Sequence, residues 1–165
     1  MATNLEFIKS ASGNGVTTIE ITDCFSDKYD VYEVLITGNG SQNVNALAFA
    51  YLDTGGSLIT SGVYDTAILR LEAGAVFGES RTTSQNYTYC IYTGSTDRDF
   101  AHKMTVYNPY SNSSYTFATF QNNSNLSMIG EKGISVAKTT TQAQGIRFYA
   151  NQQFTPVKLS VYGVK

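Results

Sequence analysis

Apolar and polar residues alternate in short segments along most of this chain, and this period-two pattern is typical of half-buried β-strands. In VYEVLITG (31–38), for example, Tyr32, Val34 and Ile36 share one face. Comparable segments lie at 5–9, 16–22, 45–53, 66–76, 85–94, 102–108, 114–122, 133–138 and 144–150. Turn residues separate them, and no convincing long amphipathic helix occurs. The spacing predicts roughly ten short antiparallel strands.

The last segment, VKLSVYGVK (157–165), keeps this alternation almost to the final residue. Its inner face would carry Val157, Leu159, Val161 and Gly163. Chain ends usually fray, so a strand this late must be pinned inside a sheet. We therefore expect the C-terminal strand to be a structural part of the fold.

Two further segments shape the expected fold. In 45–53, large residues on one face alternate with alanines on the other, which suggests that a second layer packs closely against the alanine face.

Segment 66–76 combines an alternating pattern with helix-favouring Ala, Leu and Glu, and its context favours a strand. The stretches 108–115 and 121–125 are polar, and we expect both to be loop tips.

Composition agrees with an all-β fold. The chain has 12 Tyr, 9 Phe and 14 Gly but only 2 Pro and no Trp. Aromatic residues suit pleated surfaces, and glycine suits turns. We expect one domain over residues 1–165, an antiparallel β-sandwich that is jelly-roll-like.

Charge and hydropathy exclude several partners. The formal net charge is −2, and only 15% of residues are charged, with no basic run, so nucleic acid is not an expected partner. No stretch approaches the roughly 20 apolar residues of a membrane span. The first residues, MATNLEFIKSASGNG, lack the basic and apolar regions of a signal peptide.

Few residues in the chain suggest catalysis or metal binding. His102 is the only histidine and has no accompanying nucleophile motif, so we expect a surface or strand-end residue. Cys24 and Cys90 do not form a metal-binding pair. We expect both to be free buried thiols, with a disulfide as the alternative. No cofactor or metal is predicted.

Several acidic residues are of a type that could act in catalysis or bind a metal. Asp53 lies in YLDTGGSL, which resembles one catalytic loop of an aspartic protease, but that chemistry needs two facing loops and this chain has one. Asp97 and Asp99 suggest a solvated loop more than a calcium site. Glu72 and Glu79 have no spacing that supports a glycosidase pair. The chain is therefore not expected to be an enzyme.

Tyrosines around a polar loop are the best candidates for partner contact. Tyr107, Tyr110 and Tyr115 flank SNSS, which includes Asn112. Tyrosine with Asn and Ser makes a good binding surface because it supplies rigid area with adaptable hydrogen bonding. Tyr107 and Tyr115 fit half-buried strand positions, and Tyr110 is the expected exposed contact.

The end of the chain, QGIRFYANQQFTPVKLSVYGVK (144–165), resembles the C-terminal hairpin of bacteriophage virion proteins with jelly-roll-like domains. Those proteins often have an Ile-Arg-Phe strand, a loop with a Phe and a closing strand on Tyr-Gly-Val or Tyr-Gly-Ile. The matching residues here are Ile146–Phe148, Phe154, Tyr162, Gly163 and Val164. More loosely, Phe25, Tyr29 and Tyr32 match the opening part of that group. FTPVK departs from the usual small-residue loop.

The resemblance implies a non-enzymatic structural protein of the virion surface, made in the host cytoplasm. With a first strand by residue 5, no tail-attachment segment is expected, which favours a capsid decoration (cement) protein. Its implied partner is the major capsid protein, and self-association is expected, with a trimer as the suggested state. The alternatives are a tail-fibre knob that binds a receptor and a soluble carbohydrate-binding module.

Overall fold

A computed structural model describes residues 4–40, 46–73, 77–92, 98–124 and 129–165. Within those ranges the regular elements are eleven β-strands, and no helix occurs that could cross a membrane. The strands are β1 (Leu5–Gly13), β2 (Val16–Ile21), β3 (Val31–Gly40), β4 (Ala46–Asp53), β5 (Tyr64–Glu72), β6 (Gly78–Gln85), β7 (Thr88–Tyr92), β8 (Arg98–Tyr107), β9 (Thr116–Ser124), β10 (Ile129–Ala137) and β11 (Ala143–Val164).

The long C-terminal strand β11 belongs to two sheets. Its first half lies between β2 and β4, with Phe148 opposite both Ile19 and Phe49. Its second half lies between β1 and β3, with Leu159 opposite both Ala11 and Ile36. The register shifts between these halves. One strand therefore joins the two sheets, and the expectation of a pinned C-terminus is confirmed.

The larger sheet has the order β6-β5-β10-β9-β8-β3-β11-β1, and the smaller has the order β2-β11-β4-β7. All pairs are antiparallel. The all-β, jelly-roll-like sandwich predicted from the alternation is confirmed, and it approaches a barrel because β11 continues from one sheet into the other. Hydrogen-bonded neighbours form one continuous series from β6 through β11 to β7. Strands β6 and β7 are its two ends, and the opening between them is called the seam here.

The core fills the space between the sheets. Val34, Ile36, Phe49, Phe148 and Leu159 are completely buried, and the aromatic pair Phe49–Phe148 packs with ring centroids 5.6 Å apart. The alanines of β4 that alternate with its large residues are also buried at positions 48 and 50. Both faces of β4 are thus covered, as its small residues suggested.

The residues that carry the virion-protein resemblance form structural contacts. Tyr29 lies over Gly163, where an added Cβ would come within 2.5 Å of the Tyr29 ring. Tyr29 also packs edge-on against Tyr32, which packs against the buried Phe25 in the same way. Only glycine leaves room for this aromatic stack at the last strand.

Besides the core residue Phe148, two further motif aromatics lie on β11. Phe154 is buried against Phe100, with ring centroids 5.9 Å apart. Tyr162 is partly exposed and contacts Phe7 of β1 on the outer face. The motif therefore contributes to both the core and the surface of the sheet.

Three features of the fold differ from the sequence-based expectations. Residues 144–165, expected as a hairpin with a loop at Phe154, instead form the single strand β11, because its two halves pair in different sheets. Residues 121–124, expected as a loop tip, continue β9, and Asn122 and Ser124 are buried there; Asn125 lies outside the described residues. Strand β6 (GESRTTSQ) was not predicted, because polar residues occupy both of its faces and no apolar alternation marks it. Among the described strands its one partner is β5, so it is an edge strand.

Replacing Leu159 by Ala should lower the free energy of unfolding by about 2–5 kcal/mol, because it opens a cavity where both sheets meet. The matched variant Lys158→Ala changes the neighbouring exposed residue and should cost less than about 0.5 kcal/mol. Urea unfolding followed by circular dichroism measures both. Equal effects would contradict the central role of β11, as would stable folding after deletion of residues 157–165.

Gly163→Ala should destabilise the protein by about 1–3 kcal/mol, because the new methyl group would overlap the Tyr29 ring. Gly130→Ala is the control, since its Cβ would meet no atom closer than 3.5 Å. The penalty should shrink when Tyr29→Ala is combined with Gly163→Ala, as a double-mutant cycle would measure. Strict additivity of the two changes would argue against the contact.

Candidate functional site

A row of polar residues crosses the inner face of the larger sheet. His102 of β8 is opposite Asn122 of β9, Asn122 is opposite Glu131 of β10, and Glu131 is opposite Arg70 of β5. Directly paired residues lie on the same face of a sheet, so these four side chains form one line. This polar row starts in the core at His102 and ends near the seam at Arg70.

Hydrogen bonds connect most of the row. Arg70 Nε donates to Glu131 Oε1 at 3.1 Å, and Asn122 Nδ2 donates to Glu131 Oε2 at 3.2 Å. The Asn122 amide also donates to the carbonyl oxygen of Cys90 in β7, which ties the row to the other sheet. Glu131 is only 2% exposed, whereas Arg70 is 33% exposed. A buried carboxylate is stable only when it is paired and hydrogen-bonded, as here.

The row ends in a cavity of about 400 Å³ at the seam, called the seam pocket here. Its floor is the inner face of β5, β6 and β10, and Tyr89 of β7 contributes to its wall. The lining residues are Thr66, Ile68, Arg70, Gly78, Glu79, Ser80, Arg81, Thr82, Tyr89 and Glu131. Of its charged residues, Arg70 and Glu131 face inward as an ion pair, whereas Glu79 and Arg81 are paired with Leu69 and Ala67 of the outer face.

Two threonines of the pocket stand out. Thr66 of β5 and Thr82 of β6 are directly opposite each other in the strand pairing. Their hydroxyl oxygens are buried and lack a hydrogen-bond partner in the part of the chain that the structure describes. Buried polar groups are nearly always hydrogen-bonded, so unsatisfied ones beside a cavity suggest a missing partner.

His102 was expected at the surface or at a strand end, and that expectation was wrong. It lies in the middle of β8, 2% exposed, with its ring 5.5 Å from that of Phe120 and 5.9 Å from that of Phe148. Neither ring nitrogen has a hydrogen-bond partner among the described residues. Burial lowers the pKa of His102 to about 3, so the ring is neutral at physiological pH. It is a core residue.

Both cysteines are free and buried, as predicted. Burial raises the pKa of the Cys24 thiol to about 12 and that of Cys90 well above its usual range. A thiol is nucleophilic only as the thiolate, so neither cysteine has the properties of a reactive group.

The acidic candidates do not assemble into a site. Asp53 Oδ1 accepts hydrogen bonds from the backbone N–H groups of Gly55 and Ser57, at 2.8 and 2.9 Å, and so forms an ordinary turn. Asp99 accepts one from Asn39, and Asp97 lies outside the described residues. Among the residues described, no group of three His, Cys, Asp or Glu could hold a metal ion.

The outer face of the larger sheet carries an apolar surface. Phe117 of β9 is opposite both Tyr107 of β8 and Val136 of β10, and Ile134 is diagonal to Phe117. Ile134 is also opposite Ala67, one step along the face from Leu69. Ile134 is 60% exposed, Leu69 48% and Phe117 45%. The outer patch is defined as Leu69, Tyr107, Phe117, Ile134 and Val136.

The predicted contact residues divide between this patch and a loop. Tyr107 is part of the outer patch and is partly exposed, and Tyr115 flanks the patch and is exposed. Tyr110 was expected to be the exposed tyrosine, but it is partly buried, and its carbonyl oxygen accepts a hydrogen bond from Gln142. Asn112 is exposed in the loop 108–115. The structure thus makes Tyr115, not Tyr110, the more accessible side chain.

Comparison with known proteins gives only remote likenesses. No protein-family model matches the sequence, and no curated protein sequence aligns with it. Among solved structures, the exo-inulinase of Aspergillus awamori matches over 98% of this chain with 9% identity and a TM-score of 0.41. This chain spans only 29% of that enzyme.

Two galectins are similar over nearly their whole length. The Caenorhabditis elegans galectin LEC-6 has 11% identity, a TM-score of 0.36 and coverage of 95% of this chain and 96% of its own. A tetrameric galectin from the ball sponge Cinachyrella has 9% identity, a TM-score of 0.36 and coverage of 90% and 99%. Likenesses this remote carry no functional argument, so function has to be inferred from the chain's own residues.

The buried His102 makes stability depend on pH. Its pKa is about 6.5 when unfolded and about 3 when folded, so the unfolded state binds more protons between these values. Stability is therefore fully present above pH 6.5 and is lost as pH falls. Between pH 6.5 and 4.5, the free energy of unfolding should decrease by up to about 1.4 kcal/mol per pH unit.

His102→Leu provides the comparison, because it removes the titrating ring and keeps an apolar side chain. Its free energy of unfolding should be nearly independent of pH in that window. The low pKa values of Glu6 and Asp65, which result from their lysine partners, affect both proteins alike and act below about pH 4.5. The free energy of unfolding of both proteins is measured by urea unfolding at each pH. If it changed with pH equally in the parent protein and in His102→Leu, a neutral buried His102 would be contradicted.

Proposed function

We propose that this chain is a non-enzymatic structural protein of a bacteriophage virion that decorates the capsid and stabilises it by contact. The resemblance at residues 144–165 suggests the virion class, and the residues that carry it hold both ends of the fold together. Tyr29 packs over Gly163, and β11 joins the two sheets. Such a framework suits a protein that must persist on a particle outside cells.

The outer patch is the observation that carries the proposal. Exposed apolar residues are normal when scattered, but contiguous ones mark surfaces that contact other proteins. Here Leu69, Phe117 and Ile134 come from three adjacent strands on one face, and a groove of about 500 Å³ lies beside Phe117 and Ile134. The proposed occupant is the surface of the major capsid protein.

Electrostatics would contribute little to this docking. Charges of both signs lie near the outer face. Lys103 pairs with Glu33 at 3.1 Å and Lys138 with Asp65 at 2.9 Å. Glu79, Arg81 and Lys132 lie beside the patch and together carry one net positive formal charge. Binding would then depend on burying the apolar side chains and on shape complementarity. If the protein self-associates as a trimer, several weak contacts act together, because later contacts form at high effective concentration.

The proposal is tested by counting copies in purified virions with quantitative mass spectrometry. A decoration protein should be present at hundreds of copies, on the order expected from repetition over a closed symmetric shell. A few copies located at the tail would instead support a tail-fibre knob that binds a receptor. Absence from virions would reject the proposal and leave the soluble carbohydrate-binding alternative.

A second experiment tests the docking face. Phe117→Thr and Ile134→Thr remove apolar area and keep residues that favour strands, so both variants should fold normally. Their occupancy on capsids should fall about tenfold or more, the effect of losing roughly 1.4 kcal/mol of contact energy. Measurement is by co-sedimentation with capsids that lack the native protein.

The matched control is Phe7→Thr, which changes an exposed aromatic residue of β1 far across the same sheet. It should leave occupancy unchanged. If all three variants bound capsids equally, the outer patch would not be the docking surface, even if the protein were abundant in virions.

A further inference from the structure

The seam pocket combines a fixed hydrogen-bond donor and a fixed acceptor at its floor. The Arg70 guanidinium and the Glu131 carboxylate are held together at 3.1 Å, and Asn122 holds the second carboxylate oxygen. We propose that this pocket is a binding site for a neutral saccharide, most simply a mono- or disaccharide.

Sugar hydroxyls match the polar groups of the pocket. A hydroxyl both donates and accepts, so neighbouring hydroxyls on one ring can donate to a carboxylate and accept from a guanidinium. Each carboxylate oxygen of Glu131 can accept more than one hydrogen bond, so the ion pair is kept when a ligand binds. Thr66 and Thr82 also line the pocket on the same side, with their hydroxyl oxygens buried beneath its surface.

The charge balance favours a neutral ligand. The charged side chains that face inward at the pocket are Arg70 and Glu131, and they neutralise each other as an ion pair. A phosphate or sulfate would be attracted by Arg70 but repelled by the buried Glu131 carboxylate at the same floor. A purely apolar ligand would cover this ion pair without replacing its contacts with water.

The walls and size of the pocket agree with this ligand class. Ile68 and the Tyr89 ring supply apolar surface against which the C–H face of a sugar can pack. The volume of about 400 Å³ falls within the roughly 300–1,000 Å³ of small-molecule sites, towards its lower end. The site therefore suits one or two sugar rings.

The saccharide site does not depend on the proposed capsid role. Ile68, Arg70 and Glu131 face inward on β5 and β10, whereas Leu69 and Ile134 face outward on the same strands. Docking through the outer patch would cover the face of the sheet opposite to Ile68, Arg70 and Glu131. The groove beside the patch and the seam pocket share only Thr66, Arg81 and Thr82. A capsid-bound copy could then present the seam pocket to glycans.

Binding of the full chain to an immobilised glycan panel is the first test. The panel should contain neutral, sialylated, uronic and sulfated glycans, and the simplest neutral saccharide that binds is then titrated by calorimetry. Retention of neutral glycans at high salt is the expected result. Failure of every neutral glycan to bind would overturn the proposal, and so would binding confined to anionic glycans and abolished by salt.

Ser80 allows the site to be blocked without disturbing the ion pair. It is an exposed residue of the edge strand β6 opposite Ile68, so Ser80→Phe should fill the cavity and weaken binding about tenfold or more. Ser80→Ala is the matched control and should bind within about twofold of the parent protein. Equal binding by both variants would place the saccharide elsewhere and overturn the proposal.

Tyr89→Ala gives an independent readout, because it removes the packing surface from the other side of the seam. It should also weaken binding about tenfold, whereas Phe117→Thr on the outer patch should not change it. Circular dichroism confirms that each variant is folded. NMR shift mapping on the unmodified protein locates the sugar even if a variant fails to fold, and shifts away from β5, β6 and β10 would overturn the proposal.

Discussion

The rest of the structure depends on β11 being a central strand in both sheets. A strand shared in this way must be buried on its inner face along nearly its whole length, and Ile146, Phe148, Leu159 and Val161 all are. Because β1, β2, β3 and β4 all pair with it, their registers are coupled through one backbone. Sequence-distant parts of the chain are thereby brought together, and the ends of the molecule cannot separate without breaking the core.

This arrangement leaves β5 and β10 beyond the region that the smaller sheet covers completely. The inner and outer faces of these two strands consequently have different environments. The inner face carries a buried carboxylate with its arginine and amide partners, and these require a polar, partly enclosed environment. The outer face carries apolar side chains exposed to solvent, which are stabilised when another surface covers them. A pocket and a docking face can thus lie back to back on the same strands.

Period-two alternation was enough to predict most strands, because a strand with one buried face must alternate. It failed where burial did not follow residue type. Strand β6 is polar on both faces and forms by pairing with β5, and residues 121–124 looked like a loop because their buried members are Asn and Ser. The candidate site was harder to predict, since His102, Asn122, Glu131 and Arg70 come from four separate strands, with no spacing that connects them.

The sequence by itself determined the all-β class, the antiparallel sandwich and the locked C-terminal strand, because local alternation and turn residues specify them. Only the tertiary structure decided that His102 is a neutral core residue, that Tyr115 is more accessible than Tyr110, and that a polar row leads to the seam. The physical reason is that strand order and register set which side chains face each other, and these depend on pairing between distant segments.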